Sequence, residues 1–576
     1  MASWFAHSAA VVVVLGLLPF GIGAFTAYQL ALYFLYAIAA LGVGLCWGRA
    51  GFLPLGQAMF VGLGGYLAGL SLIHFKDSAL LVLLLPLAAI LPGVLAFGLG
   101  LILFRGRRES GPYFALITLA LSLLAFQIAN GWNSVTGGFN GLKGIPALPG
   151  LDDYSHAYWI SAAALAAAII GTSWLLRAPL GVVWRAIAQN ERRAAFLGFD
   201  VARAKATLFG ISGVLGGVAG ALYAPQQNLV TPQLVGFTLS AELVIWAAVG
   251  GRGSLYGPIL GAIVIGLLTA ELRDRLPYWE VLLAVIFIVV VRWVPQGLVG
   301  LVAPVIARLR RSERRKLIPV PPRPPAARGA TLAFDGVSAH AGSVQILDAL
   351  SVAVDDTGIT CLIGPNGAGK TSCFNALTGE LPVTAGTVRF DGRAITSFTP
   401  TAVTRLGVAR KFQIPNVFPG LGVADNINLA LWGSRAQPRQ LLNPSLHGWR
   451  SPLLEDLARR YPFLAEGDRL AGDLSHGERQ ILELAMALAM EPRLLLLDEP
   501  CAGLSPAETR AVIEVIRWAK SRLAAAIVII EHDMSLVKEL ADHVLVLHQG
   551  RLLAAGNVAE VQANPAVRAV YAGGTK

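Results

Sequence analysis

Charged residues and cysteines are scarce in this chain. Of its 576 residues only 14% are charged, 55% are hydrophobic and four are cysteine. So few charges exclude a fully soluble protein of this length, and we expect part of the chain to lie in lipid. The cysteines lie in apolar or motif contexts without metal-ligand spacing, so the sequence predicts buried, reduced thiols rather than a disulfide framework or a zinc site.

Acidic residues are in the minority as well. The chain has 35 Asp and Glu against 46 Lys and Arg, a formal net charge of +11. Much of this excess flanks apolar segments or falls in one linker, where anionic lipid headgroups are the expected partner. We therefore predict contact with membrane lipid and no binding of nucleic acid.

Long apolar segments fill the first half of the chain, and several can cross a hydrocarbon core of about 30 Å. The candidate spans are residues 8–25, 28–47, 79–104, 113–129, 156–176, 206–223, 239–249, 255–271 and 281–298. Residues 51–73 are Gly-rich and ambiguous, and residues 239–249 suit a broken or re-entrant helix. The first stretch lacks a basic flank and is interpreted as retained, not as a signal peptide. We predict an N-terminal polytopic α-helical bundle of about eight to ten spans in residues 1–307.

Basic clusters predict the orientation of this bundle. Arg and Lys are concentrated in residues 105–108, 177–205 and 308–316. Short loops rich in these residues stay in the cytoplasm, so the acidic segment 131–154 is expected outside. Residues 308–329 also carry a run of prolines, which disfavours helix and sheet and predicts a basic, extended cytoplasmic linker.

A glycine-rich loop opens the second half, residues 330–576, which reads as a cytosolic α/β domain. The loop follows an apolar run and precedes a helical one, the order that a phosphate cradle requires. Its glycines let backbone N–H groups turn toward phosphate oxygens, Lys370 supplies positive charge and the Thr371 hydroxyl can bind Mg²⁺. The predicted ATP-binding residues of this loop are Gly364, Pro365, Asn366, Gly367, Ala368, Gly369, Lys370, Thr371 and Ser372.

Two adjacent acids follow a second apolar run, residues 494–497. A buried strand in this position delivers Asp498 and Glu499 to its carboxyl edge. Asp498 is predicted to hold Mg²⁺, and Glu499 to polarise the attacking water as a general base. The alternative, two helix-capping acids, is disfavoured by their position after a phosphate-binding loop.

Further segments resemble the motifs of ATP-binding-cassette (ABC) ATPases. Residues 474–480, Leu-Ser-His-Gly-Glu-Arg-Gln, resemble the signature loop, and residues 502–505 the D-loop. Gln413 looks like the Q-loop residue and His532 like the switch histidine. The resemblance implies that Gln413 binds ATP and Mg²⁺ and that His532 is catalytic. It also implies a signature loop that acts on a partner's ATP, formed by Ser475, His476, Gly477 and Glu478.

This chain departs from the common ABC pattern at three positions. His476 stands where a glycine is usual and Glu478 where Gln is usual, a variation that the amino-acid and amide importers tolerate. Ala341 occupies the place where many relatives stack an aromatic ring on adenine. Base stacking can contribute about 1 to 3 kcal/mol, so this change bears on purine affinity.

The membrane half resembles permeases of branched-chain amino acid importers, and more closely those of urea and short-amide importers. The resemblance is carried by residues 45–51, 55–57, 62–66, 113–119, 136–141, 181–191, 221–226, 245–253 and 295–298. Residues 245–253 and the Cys-Trp-Gly segment at 46–48 favour urea, as do residues 546–550 of the ATPase.

Residues 181–199 are predicted to couple the two halves, because they mix apolar and charged residues in a basic cytoplasmic loop. The alternative is a charged loop that only follows the positive-inside rule. The predicted coupling residues are Gly181, Arg185, Asn190 and Glu191. Ionisable and polar groups in apolar spans mark either a solute path or helix–helix hydrogen bonds. The candidates are Gln57, Thr118, Gln127, Asn130 and Glu242.

One P-loop and one signature loop make half of the two-site dimer that ABC ATPases form. The resemblance therefore implies a second ATPase subunit, a second permease subunit and an extracytoplasmic solute-binding protein, with separate partners favoured over a second copy. The predicted protein is an ATP-driven importer subunit of the bacterial inner membrane. An ABC exporter and a membrane-anchored regulatory ATPase remain as alternatives.

Overall fold

A computed structural model describes residues 2–105, 111–148, 154–294, 296–301, 318–320, 331–354, 358–446, 448–523 and 525–572. The chain forms two compact units. The first comprises Met1–Ala188, Val201–Arg314 and Leu442–Ser445, and the second comprises Gln189–Asp200, Arg315–Leu441 and Leu446–Lys576. The linker predicted at 308–329 lies outside the described residues except for 318–320, and the whole of the third basic cluster, residues 308–316, lies outside them.

The first unit is built from helices and one short strand pair. In chain order these are α1 (Ala2–Leu17), α2 (Ala24–Ala50), α3 (Gln57–Phe75), α4 (Leu81–Phe104), α5 (Gly111–Gly131), α6 (Asn133–Thr136), β1 (Leu142–Lys143), α7 (Tyr154–Arg177), α8 (Pro179–Gln189), α9 (Glu191–Phe196), α10 (Val201–Gln227), β2 (Leu229–Val230), α11 (Phe237–Gly250), α12 (Gly257–Arg275) and α13 (Trp279–Trp293). Of these, α9 belongs to the second unit.

Seven described helices are long and apolar enough to cross a membrane: α1, α2, α3, α4, α5, α7 and α10. The polytopic bundle that the sequence predicts is therefore present. The last helices of the unit are shorter. With 14 residues, α11 rises about 21 Å, less than the hydrocarbon core, as expected for a broken or re-entrant helix.

The ambiguous Gly-rich stretch forms α3, and its glycines explain why a helix is possible there. A Cβ on Gly64 would lie 2.8 Å from the Cα of Gly217, and one on Gly220 would lie 2.8 Å from the nitrogen of Gly65. The backbones of α3 and α10 therefore touch directly. Small residues at such contacts are typical of helix packing in membranes. They let the backbones approach closely, and van der Waals packing then drives association in place of the hydrophobic effect.

The second unit contains a six-stranded and a four-stranded sheet. Its further elements are β3 (Ile318–Pro319), β4 (Leu332–Ala341), β5 (Val344–Val354), β6 (Ile359–Ile363), α14 (Lys370–Leu377), β7 (Val383–Phe390), β8 (Arg393–Ala394), α15 (Pro400–Arg405), β9 (Val408–Lys411), α16 (Val423–Arg435), α17 (Pro438–Leu441), β10 (Trp449–Arg450), α18 (Pro452–Arg460), α19 (His476–Ala489), β11 (Leu494–Asp498), α20 (Pro506–Arg522), β12 (Ala526–Ile530), α21 (Met534–Leu540), β13 (His543–His548), β14 (Arg551–Gly556), α22 (Val558–Ala563) and α23 (Pro565–Ala572).

Parallel strands form the larger sheet, in the order β14-β13-β6-β12-β11-β9, and only β14 is antiparallel to its neighbour. The strands β6, β11 and β12 are buried along their whole length, which explains their largely apolar sequences. The smaller antiparallel sheet has the order β5-β4-β7-β8. In parallel sheets the carboxyl ends meet at one edge, where ligands bind.

Candidate functional site

Four predicted motifs meet at this carboxyl edge. The P-loop follows β6, His532 follows β12, Asp498 ends β11, and Gln413 lies two residues after β9. These four strands are adjacent and parallel in the sheet. Segments separated by more than 160 residues in the sequence are thereby placed side by side.

The P-loop has the backbone shape of a phosphate cradle. Gly367 and Gly369 adopt φ of 81° and 96°, a region that favours glycine, and Lys370 begins α14. Its ammonium group donates to the carbonyl oxygens of Gly364 at 2.7 Å and Pro365 at 3.0 Å. Burial lowers the pKa of Lys370, and the carboxylates of Glu499 and Asp498 oppose this effect. The ammonium therefore lies inside the loop, where phosphate oxygens can replace the carbonyls.

Oxygen ligands suited to Mg²⁺ lie beside the P-loop. The hydroxyl of Thr371 is 3.5 Å from Oδ1 of Asp498, and burial raises the pKa of Asp498 while Arg410 opposes the rise. Mg²⁺ binds few protein oxygens and completes its shell with water and substrate phosphates. The described residues contain no group of three or more His, Cys, Asp or Glu that could hold a metal alone. This donor set fits a nucleotide-bound Mg²⁺.

Glu499 faces two of the predicted ATPase residues. The amide of Gln413 donates to its Oε2 at 2.7 Å, and Nδ1 of His532 lies 3.8 Å from its Oε1. The backbone of Glu499 has a φ of 43°, a sparsely populated conformation for residues other than glycine. The structure thus brings together the predicted base, the Q-loop residue and the switch histidine.

The signature loop gives Glu478 a structural task. Ser475 caps α19 by accepting from the N–H of Glu478 at 3.2 Å, and the Glu478 carboxylate accepts from the N–H of Ser475 at 2.8 Å. Arg469 also donates to this carboxylate at 3.1 Å. A Cβ on Gly477 would lie 2.7 Å from Cδ of Glu508, so a larger residue there would displace the Glu508 side chain. His476 is exposed beside them.

The two remaining motif positions are on the surface. Ala341 is exposed at the end of β4 and pairs with Val344, so no aromatic ring from this position covers an adenine. Ser505 in the D-loop caps α20 and exchanges hydrogen bonds with Glu508.

The predicted coupling residues divide between the two units at Asn190. Gly181 and Arg185 lie in α8 of the first unit, whereas Asn190 and Glu191 lie in the short helical segment 189–200 of the second. Asn190 is extended and accepts from the N–H of Arg193, which ends one helix and caps the next. This break between two helices explains why the predicted coupling residues are divided between the two units.

Segment 189–200 lies against the ATPase elements. The side chain of Asn190 donates to Asn416 at 2.7 Å, and Gln189 accepts from the N–H of Gly420 at 2.7 Å. The hydroxyl of Thr401 donates to the carbonyl of Phe199 at 3.1 Å. Polar contacts of this kind at both ends fix the position of the segment.

Arg193 is the anchor that the sequence did not single out. Its side chain is 1% exposed, donates to the carbonyl of Arg410 at 3.0 Å and lies 3.6 Å from the buried Glu483. Burial lowers the pKa of Arg193, and Glu483 opposes this. The one signal in the sequence is the apolar run Ala-Ala-Phe that follows Arg193.

Two of the candidate solute-path residues make hydrogen bonds inside the bundle, Gln57 with a neighbouring helix and Thr118 with the loop before α3. Gln57 donates to the carbonyl of Ser212 and accepts from its hydroxyl, both at 2.9 Å, and is fully buried. Thr118 is 2% exposed and accepts from the N–H of Leu55 at 3.1 Å. Gln127 is exposed.

Asn130 and Glu242 have different surroundings. The side-chain oxygen of Asn130 is buried and accepts no hydrogen bond within the described residues. Glu242 precedes Trp246 by one turn of α11, and the ring of Trp246 lies 5.6 Å from that of Tyr36. Tyr36 in turn lies 6.1 Å from Tyr223. Glu242 therefore stands beside a group of aromatic rings with polar edges.

Comparison with protein families matches both halves of the chain. Residues 8–291 match the family model described as the permease component of a branched-chain amino acid transport system. Residues 347–502 match the family model described as ABC transporter.

Curated relatives match the ATPase half. The high-affinity branched-chain amino acid transport ATP-binding protein BraF of Pseudomonas aeruginosa is 34% identical over 254 residues, which cover 42% of this chain and 97% of BraF. LivG of Salmonella typhimurium, named as the same kind of protein, is also 34% identical over 254 residues, with the same coverage.

Solved structures match the same part. A nucleotide-free ATP-binding cassette from an ABC transporter is 25% identical, with a TM-score of 0.36, and the match covers 42% of this chain and 98% of that one. Another cassette, in its ADP conformation, is 26% identical, with a TM-score of 0.37 and coverage of 42% and 99%.

Proposed function

Because the chain belongs to the ABC transporters, as a permease of the branched-chain amino acid type fused to its ATPase, we propose that it imports branched-chain amino acids. ATP hydrolysis by the ABC domain is coupled to this transport. The solute class rests on both halves, since the permease model and the ATPase relatives carry branched-chain amino acid transport in their names. Urea and short amides are the second solute class, on the strength of residues 245–253.

In this proposal ATP binds at residues 364–372 and is hydrolysed at the carboxyl edge of the sheet. Lys370 contacts the β- and γ-phosphates, and Thr371, Gln413 and Asp498 hold Mg²⁺, which neutralises phosphate charge when bound. Glu499 accepts the proton of the attacking water, and its bond from Gln413 orients the carboxylate. His532 contacts the γ-phosphate.

We further propose that the catalytic site is completed by a second ATPase subunit. Its signature loop covers the phosphates bound here, while Ser475, His476, Gly477 and Glu478 act on the ATP of the partner. A second permease subunit and an extracytoplasmic solute-binding protein complete the importer. Separate partner proteins, rather than a second copy of this chain, fit the division of labour among such importers.

The chain is a membrane protein with a cytosolic ATPase domain, and we assign it to the bacterial inner membrane. The proposed domains are the permease at 1–307, a linker at 308–329 and the ATPase at 330–576. Segment 189–200, with Asn190 and Glu191, transmits movement between them, with Gly181 and Arg185 in the preceding helix. Glu242 and Asn130 are the candidates for contact with the solute. In this proposal Gln57 and Thr118 have a structural role.

One observation supports this proposal above all: the four ATPase motifs meet at one sheet edge, and the described part of the same chain carries seven helices of membrane-spanning length. The test is uptake into proteoliposomes that contain the chain with its partner subunits and the solute-binding protein. We expect ATP-dependent accumulation of labelled leucine, isoleucine or valine, and none with Lys370→Ala. Accumulation of urea or acetamide alone would move the solute to the second class, and efflux would establish an exporter.

A further inference from the structure

Arg410, a buried arginine, joins the proposed magnesium-binding carboxylate of Asp498 to a second carboxylate, that of Glu380. The guanidinium of Arg410 is 1% exposed and lies 3.1 Å from Oδ2 of Asp498. Its other terminal nitrogen lies 3.2 Å from Oε2 of Glu380 and donates to Asn375 at 2.7 Å. A planar guanidinium holds two carboxylates in fixed directions, so the positions of Asp498 and Glu380 depend on each other.

The second carboxylate reaches segment 189–200. Both oxygens of Glu380 accept hydrogen bonds from Arg192, one of them at 2.6 Å. Arg192 lies in α9 and its side chain is 54% exposed. The charges therefore alternate in sign along a continuous chain of contacts, from Arg192 through Glu380 and Arg410 to Asp498.

A second contact joins the same elements. Arg193 donates to the carbonyl of Arg410 at 3.0 Å, so segment 189–200 holds both the backbone and, through Glu380, the side chain of Arg410. The guanidinium groups of Arg192 and Arg410 both contact the ring of Phe412, at 4.8 and 4.9 Å from its centroid. Phe412 directly precedes Gln413, which donates to the catalytic carboxylate.

Arg410 also divides the two oxygens of Asp498 between different tasks. Oδ2 is held by the guanidinium, and Oδ1 faces the hydroxyl of Thr371 at 3.5 Å. A carboxylate fixed in this way presents one oxygen toward the place where Mg²⁺ is expected. Release of the guanidinium would let the carboxylate rotate away from that direction.

We propose that Arg410 is a positioning residue through which segment 189–200 controls the magnesium site. Arg192 holds Glu380, Glu380 holds Arg410, and Arg410 orients Asp498 for the metal. Displacement of the segment during the transport cycle then loosens Mg²⁺ as well as the Q-loop. This inference rests on the proposed function, since it assigns a regulation to the ATPase site of the same transporter.

The test measures metal binding rather than turnover. Mn²⁺ replaces Mg²⁺ at oxygen sites, and its binding to the assembled complex with the non-hydrolysable analogue AMP-PNP is followed by electron paramagnetic resonance. Arg192→Ala and Glu380→Gln should each weaken Mn²⁺ binding by about fivefold or more, the size of a typical coupling between sites. The double variant should bind Mn²⁺ no less tightly than the single variant with the lower affinity, because both changes interrupt the same chain of contacts.

Arg517→Ala is the matched control, since Arg517 is also half exposed and pairs with a glutamate, Glu539, at 3.3 Å. It should leave Mn²⁺ binding unchanged. Binding of the analogue without metal should be equal in all variants. Equal Mn²⁺ affinity in Arg192→Ala and Arg517→Ala, or a double variant whose loss is the product of the single losses, would overturn the proposal.

The side chain of Arg192 is largely exposed, so its variant is expected to fold even if a change at Arg410 does not. The wild-type complex is assayed in parallel for leucine uptake. If leucine is taken up but the variants bind Mn²⁺ normally, only the proposed relay, the chain of contacts from Arg192 to Asp498, is rejected. The Mn²⁺ effect without leucine uptake rejects the proposed solute and leaves the relay intact.

Discussion

Two buried or site-facing glutamines show how differently the two units use polar residues. Gln413 stands on a loop at the sheet edge and donates to Glu499, the carboxylate proposed as the general base. Gln57 stands inside a membrane helix and exchanges two hydrogen bonds with Ser212 of the neighbouring helix. A polar group without water around it must find a partner, and in a helix bundle the nearest partner is another helix. The loops of the ATPase leave such groups available for a ligand.

The strongest test of this contrast is to remove the charge at the sheet edge. Glu499→Gln keeps the shape of the side chain and removes the general base, so we expect ATP hydrolysis by the assembled complex to fall by about 10² to 10⁴-fold. ATP binding should persist, because the P-loop is unchanged. Steady-state hydrolysis and binding of a fluorescent ATP analogue measure the two properties.

Glu514→Gln, on an exposed position of α20, provides the control for that experiment. It should hydrolyse ATP at the wild-type rate. If Glu499→Gln did the same, the assignment of the base would be wrong and the comparison between the two glutamines would lose its functional side.

The next largest effect concerns Arg193, a buried charge paired with a buried carboxylate. Arg193→Met breaks the buried pair with Glu483, which keeps the buried Lys411 nearby, and removal of one partner of a buried pair costs at most about 3 to 5 kcal/mol. We expect faster hydrogen exchange at the amides of β9, which carries the carbonyl that Arg193 binds. Changing both residues, as Arg193→Met with Glu483→Gln, which keeps an acceptor for the N–H of Phe412, should restore part of the protection. Failure of the double variant to recover would show that the hydrogen bond, not the charge, holds the segment.

A smaller effect is expected from pH. Burial raises the pKa of Glu531 from 4.5 to about 7, with His532 opposing and Glu499 adding to the rise. The folded state thus prefers the neutral acid, so its contribution to stability is complete below pH 4.5 and is lost as the pH rises through 7. One pKa unit corresponds to about 1.4 kcal/mol, which gives a loss of about 3 kcal/mol.

Glu531→Gln removes this titration. The difference in melting temperature between variant and wild type should therefore shift in favour of the variant between pH 5 and pH 8. Histidines that titrate in the same range are present in both proteins and cancel in the difference. A difference that stays constant across this range would show that the carboxyl group is ionised throughout.

The smallest effect belongs to the membrane unit. Gln57→Leu removes hydrogen bonds between two helices, each worth about 0.6 kcal/mol on average in a membrane protein. We expect a loss of stability of about 1 kcal/mol and an unchanged ratio of uptake among leucine, valine and urea. Glu242→Gln, at the aromatic group, should change that ratio. A changed ratio in Gln57→Leu would place this residue in the solute path.

The sequence identifies the segments that meet at the sheet edge because the motifs are local. Each segment, such as residues 364–371, fixes its own backbone conformation and follows a strand that an apolar run identifies. The fold of the bundle was equally accessible, since length and hydropathy define a span. Residues 51–73 are ambiguous in the sequence because glycine disfavours an isolated helix. Only the structure shows that glycine allows the close backbone contact with α10.

The remaining features depend on contacts between distant segments. Arg193 and Arg192 are neighbours in one basic loop, yet one is buried against Glu483 and the other is largely exposed beside Glu380. Nothing in the order of the residues separates them. The use of Glu478 as a helix cap was also hidden, because the family pattern made it look like a departure from a motif.

Segment 189–200 belongs by contact to the ATPase, although in sequence it lies between two membrane-spanning helices, α7 and α10. In a transporter made of separate proteins, such an interface has to form between chains and is subject to dilution and to competition from other ATPases. Here the permease and the ATPase are parts of one chain, so their association is intramolecular, and linking two parts in this way gives effective concentrations of about millimolar for short linkers. A modest contact is then sufficient, and pairing with the wrong motor is avoided from the moment the chain is made.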